Sequence, residues 1–366
     1  MSDAKKILFI LHLPPPIHGA AVVGSIIQNS SLIRNTFNCR FINLATASGL
    51  NDIGKFKFSK IIRFRSLISR IKQEIRDFQP DLIYITPNSS GNAFYKDWIT
   101  VQILKRTKIP VVAHFHNKGV SRNATNWLKT NLYHRFFRSL NVILLSQRLL
   151  PDIKRFVDPQ RVYICHNGLP DMSNTTDRLQ RVSEPCHILF LSNLLIDKGI
   201  LILLDALELL NKQGYDFICD IVGGETAEID KTRLIDEIAA RSLDNKVVYH
   251  GPVYGDTKTA FLKETDIFVF PTLNEAFGLV CLEAMQNSLP VVTSAEGGIP
   301  DIVIDGYNGF ICNPLDCKTI AEKIAILLSD SVKRTEMGEN GRRLYEKNFT
   351  DVIFESNLCK ILYKIN

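Results

Sequence analysis

The sequence predicts an α/β protein of two doubly wound parallel-sheet domains. Short, near-continuous Val/Ile/Leu runs recur along the chain, amphipathic helical patterns separate them, and the alternation occurs twice, with a polar, aperiodic stretch between the two series. Strands covered by helices on both faces read as uniform apolar runs. Strand–helix alternation means crossovers onto a parallel sheet. At 366 residues the chain exceeds one ordinary core and suits two domains.

The first series of strand candidates is KILFILHL (6–13), CRFINL (39–44), LIYIT (82–86), PVVAHFH (110–116), VILLS (142–146) and RVYICHN (161–167). The second is HILFLSN (187–193), FICDIVG (217–223), KVVYHG (246–251), IFVFPT (267–272), PVVTS (290–294) and GFIC (309–312). KGILILLDALELLNKQG (198–214) is an example of the amphipathic helices between strands. The polar segment DMSNTTDRLQRVSEP (171–185) reads as the linker, giving domains at 1–175 and 176–350. Residues 351–366 read as a last helix, and the sequence leaves open whether it packs back on the first domain.

Composition narrows the classes. The chain is 45% apolar, and no apolar run approaches the roughly 18–20 residues that cross a membrane. The start MSDAKKILFILHL reads as a buried first strand rather than a signal peptide, because the run is short and meets Pro14-Pro15-Pro16. Eight scattered cysteines, without Cys-x-x-Cys, suit reduced thiols in a cytoplasmic protein. The net charge of +6 conceals an asymmetry: residues 1–180 hold 26 Lys/Arg against 10 Asp/Glu, and residues 181–366 hold 18 against 28. Two halves of opposite sign suit domains with different surfaces to face.

The richest chemical signal is EAFGLVCLE (275–283), following the strand candidate IFVFPT. Ligands of doubly wound sheets bind beyond the carboxyl ends of the strands, which is where Glu275 falls. Gly278 allows close backbone approach, and the amides of Phe277, Gly278 and Leu279 open a helix whose N-terminus favours phosphate. Glu283 lies further along that helix. Carboxylates accept paired hydrogen bonds and suit sugar or ribose hydroxyls.

The run PTLNEAFGLVCLEAMQNSLPVV followed by EGGIPDIVIDGYNGF (296–310) resembles the retaining family-4 glycosyltransferases (glycosyl transferases group 1) of the GT-B fold. The resemblance implies two Rossmann-like domains facing a cleft, with a nucleoside-diphosphate sugar as donor. It assigns the donor sugar to Glu275, the diphosphate to Phe277, Gly278 and Leu279 and the ribose to Glu283, with Ala276 among the donor-binding residues. Other segments fit in the family's order. PPPIHGAAVVGSII supplies Gly19 where the family has a glycine-rich loop. PVVAHFHNKG supplies His116 as the strand-end histidine close to the transferring sugar; His114 lies on the same strand face. ILFLSNLLIDKG supplies Lys198 for the leaving diphosphate, whereas many members carry arginine at the position of Asn193. The loops of Gly223 and Val253 correspond to those near the nucleotide base.

The function implied is retaining transfer of a hexosyl or N-acetylhexosaminyl group, from a UDP-sugar before a GDP-sugar, to a hydroxyl acceptor such as a lipid-linked saccharide of polysaccharide or glycolipid synthesis. No metal or other cofactor is expected, since no Asp-x-Asp stands at a strand end. The catalytic set is His116, Lys198 and Glu275. Alternatives are a GT-B sugar-nucleotide epimerase and a non-catalytic carbohydrate-binding protein. A dinucleotide oxidoreductase is disfavoured because HGAAVVG lacks Gly-x-Gly-x-x-Gly. The stretch KFKFSKIIRFRSLISRIKQEIR (55–76), with eight Lys/Arg and one Glu, reads as a basic amphipathic helix. Its apolar residues at 58, 61, 62, 64, 68, 71 and 75 suggest contact with an anionic membrane surface at the inner face of the membrane. No nucleic-acid motif accompanies the charge.

Overall fold

The computed structural model describes residues 4–44, 58–172 and 185–365. They form two units: the chain up to Gly168 together with the segment from Asp351 onward, and Leu169–Thr350. The division thus falls just before the polar 171–185 segment, of which 173–184 lie outside the described residues. Leu169–Asp171 join the second unit through side chains of its helices. Tyr345 Oη donates to the Leu169 carbonyl at 2.7 Å, Gln286 Nε2 donates to the Pro170 carbonyl at 2.6 Å, and Arg342 pairs with Asp171.

The first unit holds β1 (Lys6–Leu11), β2 (Asn38–Asn43), β3 (Leu82–Ile85), β4 (Val111–Phe115), β5 (Asn141–Leu144) and β6 (Val162–Ile164). They form one parallel sheet in the order β2-β1-β3-β4-β5-β6. Strand order reverses between β1 and β3, which pair from Ile7↔Leu82 to Ile10↔Ile85. Ile7–Leu11 are 0% exposed, and burying each such side chain contributes about 1.5–3 kcal/mol.

The second unit holds β7 (Cys186–Leu191), β8 (Phe217–Val222), β9 (Val247–Gly251), β10 (Ile267–Phe270), β11 (Val291–Ser294) and β12 (Gly309–Cys312), in the order β12-β11-β10-β7-β8-β9. Its strands are also parallel. Strand order reverses between β7 and β10, and their ladder is short: Ile267↔Ile188 and Phe268↔Leu189. Both strands run on past that pairing. A crevice at such a reversal, outside the carboxyl ends, is where open α/β sheets bind ligands.

Each apolar run of the sequence becomes a strand. The polar residues at the run ends, such as His12 and Asn193, leave the ladders and enter the carboxyl-end loops. The amphipathic helix Ile200–Lys212 buries Ile200, Leu203, Leu204, Leu207 and Leu210 on one stripe. The last helix, Asp351–Lys364, belongs to the first unit. It buries Phe354, Leu358 and Leu362, and Lys5 Nζ donates to the Leu362 carbonyl at 3.1 Å.

The basic stretch forms the helix Phe58–Phe78; residues 55–57 lie outside those described. Its apolar residues are only partly covered. Leu67, Ile71 and Phe78 are buried, Phe64, Ile68 and Ile75 half-buried, and Ile62 is 59% exposed. Core packing thus takes Ile71 of the apolar stripe, while Ile62 stays exposed and Phe64, Ile68 and Ile75 half-buried. No helix among the described residues is long and apolar enough to cross a membrane.

Candidate functional site

The two loops that flank the second sheet's reversal are joined through Lys198 and Glu275. Lys198 follows β7, and its Nζ donates to the Asn274 carbonyl at 2.6 Å and to Glu275 Oε2 at 3.1 Å. Asp197 adds further links. Its carbonyl accepts from the Leu273 amide at 2.7 Å, and its Oδ2 accepts from Asn274 Nδ2 at 2.9 Å. Gly199 permits the approach. Its φ is +84°, and a Cβ there would lie 2.1 Å from the Pro271 carbonyl oxygen. The Lys-Gly pair of the sequence is thus a charge placed by a residue that must lack a side chain.

Glu275 is fixed at both carboxylate oxygens. Oε2 meets Lys198, and Oε1 accepts from the amides of Ala276 at 2.9 Å and Phe277 at 3.3 Å. The Phe277 amide, expected to face a diphosphate, is therefore engaged by Glu275 here. The helix Leu279–Gln286 begins at Gly278, which has φ +93° and gives it no side-chain cap. Its N-terminus carries the positive end of the helix dipole. A second glycine braces this loop from behind. A Cβ on Gly297 would meet the Glu275 carbonyl oxygen at 2.2 Å, and the Gly298 amide donates to the Ala276 carbonyl at 2.8 Å.

Glu283 lies on the same helix, and its Oε1 accepts from Lys258 Nζ at 2.7 Å. Lys258 comes from the helix Gly255–Glu264, which follows the Val253 loop after β9. Asn193, in the arginine position of the resembled family, accepts from the Gly224 amide at 3.1 Å. It holds the loop after β8 rather than presenting a charge. Gly223 is required there, since its Cβ would sit 1.7 Å from the Ser192 carbonyl oxygen. Tyr249 Oη donates to the Gly223 carbonyl at 3.0 Å. Lys198, Glu275, Asn193, Gly223, Val253, Ala276–Leu279 and Glu283 thus lie on the carboxyl-end loops of one sheet or on the helix that leaves them. Among the described residues no three His, Cys, Asp or Glu side chains gather as a metal cage.

The first unit is built differently. Gly19 starts the helix Gly19–Asn29, again without a side-chain cap. Close packing of that helix depends on Gly24, whose Cβ would lie 2.0 Å from the His12 carbonyl oxygen. His116 follows β4 with both ring nitrogens closed to solvent and without a hydrogen-bond partner among the described residues. Burial, aided by His12 and His18, pushes its imidazole down to about 3. His114 is fully buried and bonded through Nδ1 to Tyr84 Oη at 2.5 Å, which makes it part of the sheet's interior. His12, at the end of β1, is pushed down to about 4, chiefly by burial. It reaches across the reversal to Thr86, its amide donating to Oγ1 at 3.0 Å.

Sequence motifs identified Lys198, Glu275, Glu283 and His116. They did not single out Asp197, Gly24 or Lys258. Gly24 stands in the quoted helix start, where only the tertiary contact distinguishes it from Gly19. Lys258 belongs to no pattern, and nothing in the sequence pairs it with Glu283.

Two six-stranded Rossmann-type sheets, with a lysine–glutamate pair over the switch point of the second, define a protein of the GT-B fold. Residues 172–344 match the family described as glycosyl transferases group 1, and residues 49–171 match glycosyltransferase family 4. Each match spans less than half of the chain; by them the segment 172–344 is similar to the glycosyl transferases of group 1 and the segment 49–171 to glycosyltransferase family 4. Staphylococcus aureus CapM, a capsular polysaccharide biosynthesis glycosyltransferase, is 32% identical over 188 residues, covering 49% of this chain and 48% of the relative. The Arabidopsis thaliana sulfoquinovosyl transferase SQD2 is 26% identical over 356 residues, covering 92% of this chain and 62% of the relative. The chain thus spans about half to three fifths of these curated relatives' length. Sucrose-phosphate synthase of Thermosynechococcus elongatus superposes with a TM-score of 0.76 at 17% identity, over 99% of this chain and 98% of that one. Anabaena HepE in complex with UDP and glucose superposes at 0.73 and 19%, over 98% and 99%. At these identities the likeness shows the fold.

Proposed function

We infer that this protein is a glycosyltransferase using a nucleoside-diphosphate sugar, a UDP-sugar before a GDP-sugar, and transferring the sugar with retention to a hydroxyl acceptor. The observation that carries the reading is the Lys198–Glu275 pair over the β7/β10 reversal, beside the uncapped N-terminus of Leu279–Gln286. The donor diphosphate would take its charge compensation from Lys198 and the amides at that helix start. Glu283 would accept from the ribose hydroxyls and Glu275 from the sugar. As the anomeric C–O bond breaks, the electron pair leaves with the diphosphate. Lys198 stabilises the charge that develops there. The acceptor hydroxyl forms the new bond on the same face, and its proton passes to the departing phosphate oxygen. No resident metal is invoked, because a fixed ammonium and backbone dipoles supply the positive potential. HepE, whose crystals hold UDP and glucose, supports a UDP-sugar donor. CapM, named for capsular polysaccharide synthesis, supports a saccharide acceptor, which we assign to a lipid carrier at the membrane's inner face. His116, with its unpartnered nitrogens, is assigned to substrate hydroxyls within the first unit.

The test is thermal stabilisation by UDP, GDP, ADP and their sugar conjugates, with and without chelator. A ligand that binds only the native state raises the melting temperature. Selective stabilisation by uridine compounds, insensitive to chelator, is the expected result. Stabilisation by none of them would remove the donor assignment. Turnover of donor without any acceptor would mark an epimerase instead.

A further inference from the structure

At the other end of the first unit's sheet, away from His116, lies a cavity of about 690 Å³. It opens where the chain enters β4 and β5. Lys105, Lys108, Arg135, Arg138 and Arg161 line it, with Asn141 buried beneath and no carboxylate among the lining residues. Two of the cations have structural work. Lys105 Nζ donates to the carbonyls of Arg135 and Phe136 at 2.7 and 2.6 Å, completing the end of the helix Trp127–Phe137. Arg161 Nη1 donates to the Ser139 carbonyl at 3.3 Å, and its Nε lies 3.8 Å from Asp158. Lys108, Arg135 and Arg138 are exposed and form no ion pair among the described residues.

We propose that this cavity binds a multiply charged, phosphate-type anion, either free in solution or carried on a lipid head group. Cations around one concavity repel each other and raise the local concentration of anions. Guanidinium groups bind phosphate oxygens in pairs. The volume falls in the range of small-molecule sites and exceeds what one phosphate fills. Burial and the neighbouring Arg138 lower the Lys105 ammonium to about 8, the behaviour of a cation that lacks a counter-charge. Lys108 adds a sign of its own. It holds φ +62° just past the helix Gly91–Lys105, a left-handed position where glycine would be unstrained. The lysine there occupies a backbone position that favours glycine.

The experiment compares wild type with Lys108→Gly/Arg135→Gln/Arg138→Gln. Calorimetric titration with inorganic pyrophosphate tests the free anion. Flotation with phosphatidylcholine vesicles, with or without phosphatidylglycerol, tests the head group. The variant leaves the Lys198 loops untouched, so pyrophosphate held there is common to both proteins and cancels. Failure of the donor assignment would therefore not imitate failure here. Wild type should bind at least one probe, more weakly as salt rises, and the variant should lose roughly tenfold or more in affinity. Its melting temperature should be unchanged or higher, since the left-handed lysine is relieved. If the triple variant does not fold, Lys108→Gly alone serves, with an expected loss of about threefold. Wild type that binds neither probe, or variants that bind as tightly as wild type, would overturn the proposal.

Discussion

The carboxyl ends of the two sheets carry groups of opposite character. In the second unit the named side chains are already paired: Lys198 with Glu275, Lys258 with Glu283, and Asn193 with the Gly224 amide. In the first unit His116 has neither nitrogen satisfied and His114 has one free. A paired charge can be half-buried and remain charged, whereas an unpaired imidazole in the same burial is kept neutral. On the proposed reading, the second unit would receive charge by exchanging partners, and the first would receive neutral hydroxyl groups that bring their own hydrogen bonds.

The largest effect that bears on this contrast concerns Lys198. Lys198→Ala should cut kcat by roughly 10²–10³-fold, the usual loss when one preorganised charge or donor is removed from a developing anion. Steady-state kinetics with the donor found by thermal shift measures it. A loss confined to KM would mean that Lys198 only holds the Glu275 loop. Next in size is Gly199→Ala, which drives a Cβ against the Pro271 carbonyl and should cost about 2–3 kcal/mol. Gly214→Ala is its control, because Gly214 has φ +81° with nothing within 4 Å of the built Cβ. Denaturant melts should show the first clearly less stable than the second. Equal midpoints would remove the close loop packing from the account.

Acid should separate the units. His12 and His116 fall from 6.5 to about 4 and about 3, so the folded state holds fewer protons than the unfolded one in between. Their contribution is complete above pH 6.5 and is lost as pH falls toward 4 and then 3. The slope is about 1.4 kcal/mol per pH unit for each histidine at most. Amide exchange between pH 7.5 and 5 should show protection falling first around His12 and His116, and His116→Asn should flatten the dependence. The smallest effect is at Lys258. Lys258→Met frees Glu283 and should change the donor KM about fivefold with kcat nearly unchanged, in keeping with a half-exposed pair of about 1 kcal/mol. An unaltered KM would place Glu283 outside ribose binding.

The strand runs and the last helix were legible because burial on both faces imposes a local composition that any reader of the chain can see. Glu275 and Glu283 were legible because they stand at and just beyond a strand's carboxyl end, and Lys198 because its strand–loop–Lys-Gly element resembles that of the family-4 glycosyltransferases. The helix Phe58–Phe78 shows the limit of that reading. Its periodicity correctly gave an amphipathic helix, but periodicity does not say what covers an apolar stripe, and the first unit's own core covers Ile71. The cations of the β4–β5 cavity are likewise dispersed from Lys105 to Arg161, so no window of sequence brings them together.

By itself, then, the sequence determined two parallel sheets, their strand ends and the glutamate-bearing loop, because each depends on neighbours a few residues apart. The tertiary structure decided that Lys198 meets Glu275, that Lys258 meets Glu283, that Gly199 and Gly297 must lack a side chain, and that five cations share one cavity. Those facts rest on contacts between loops far apart in the chain, and their geometry exists only once the strands have taken their order in the sheet.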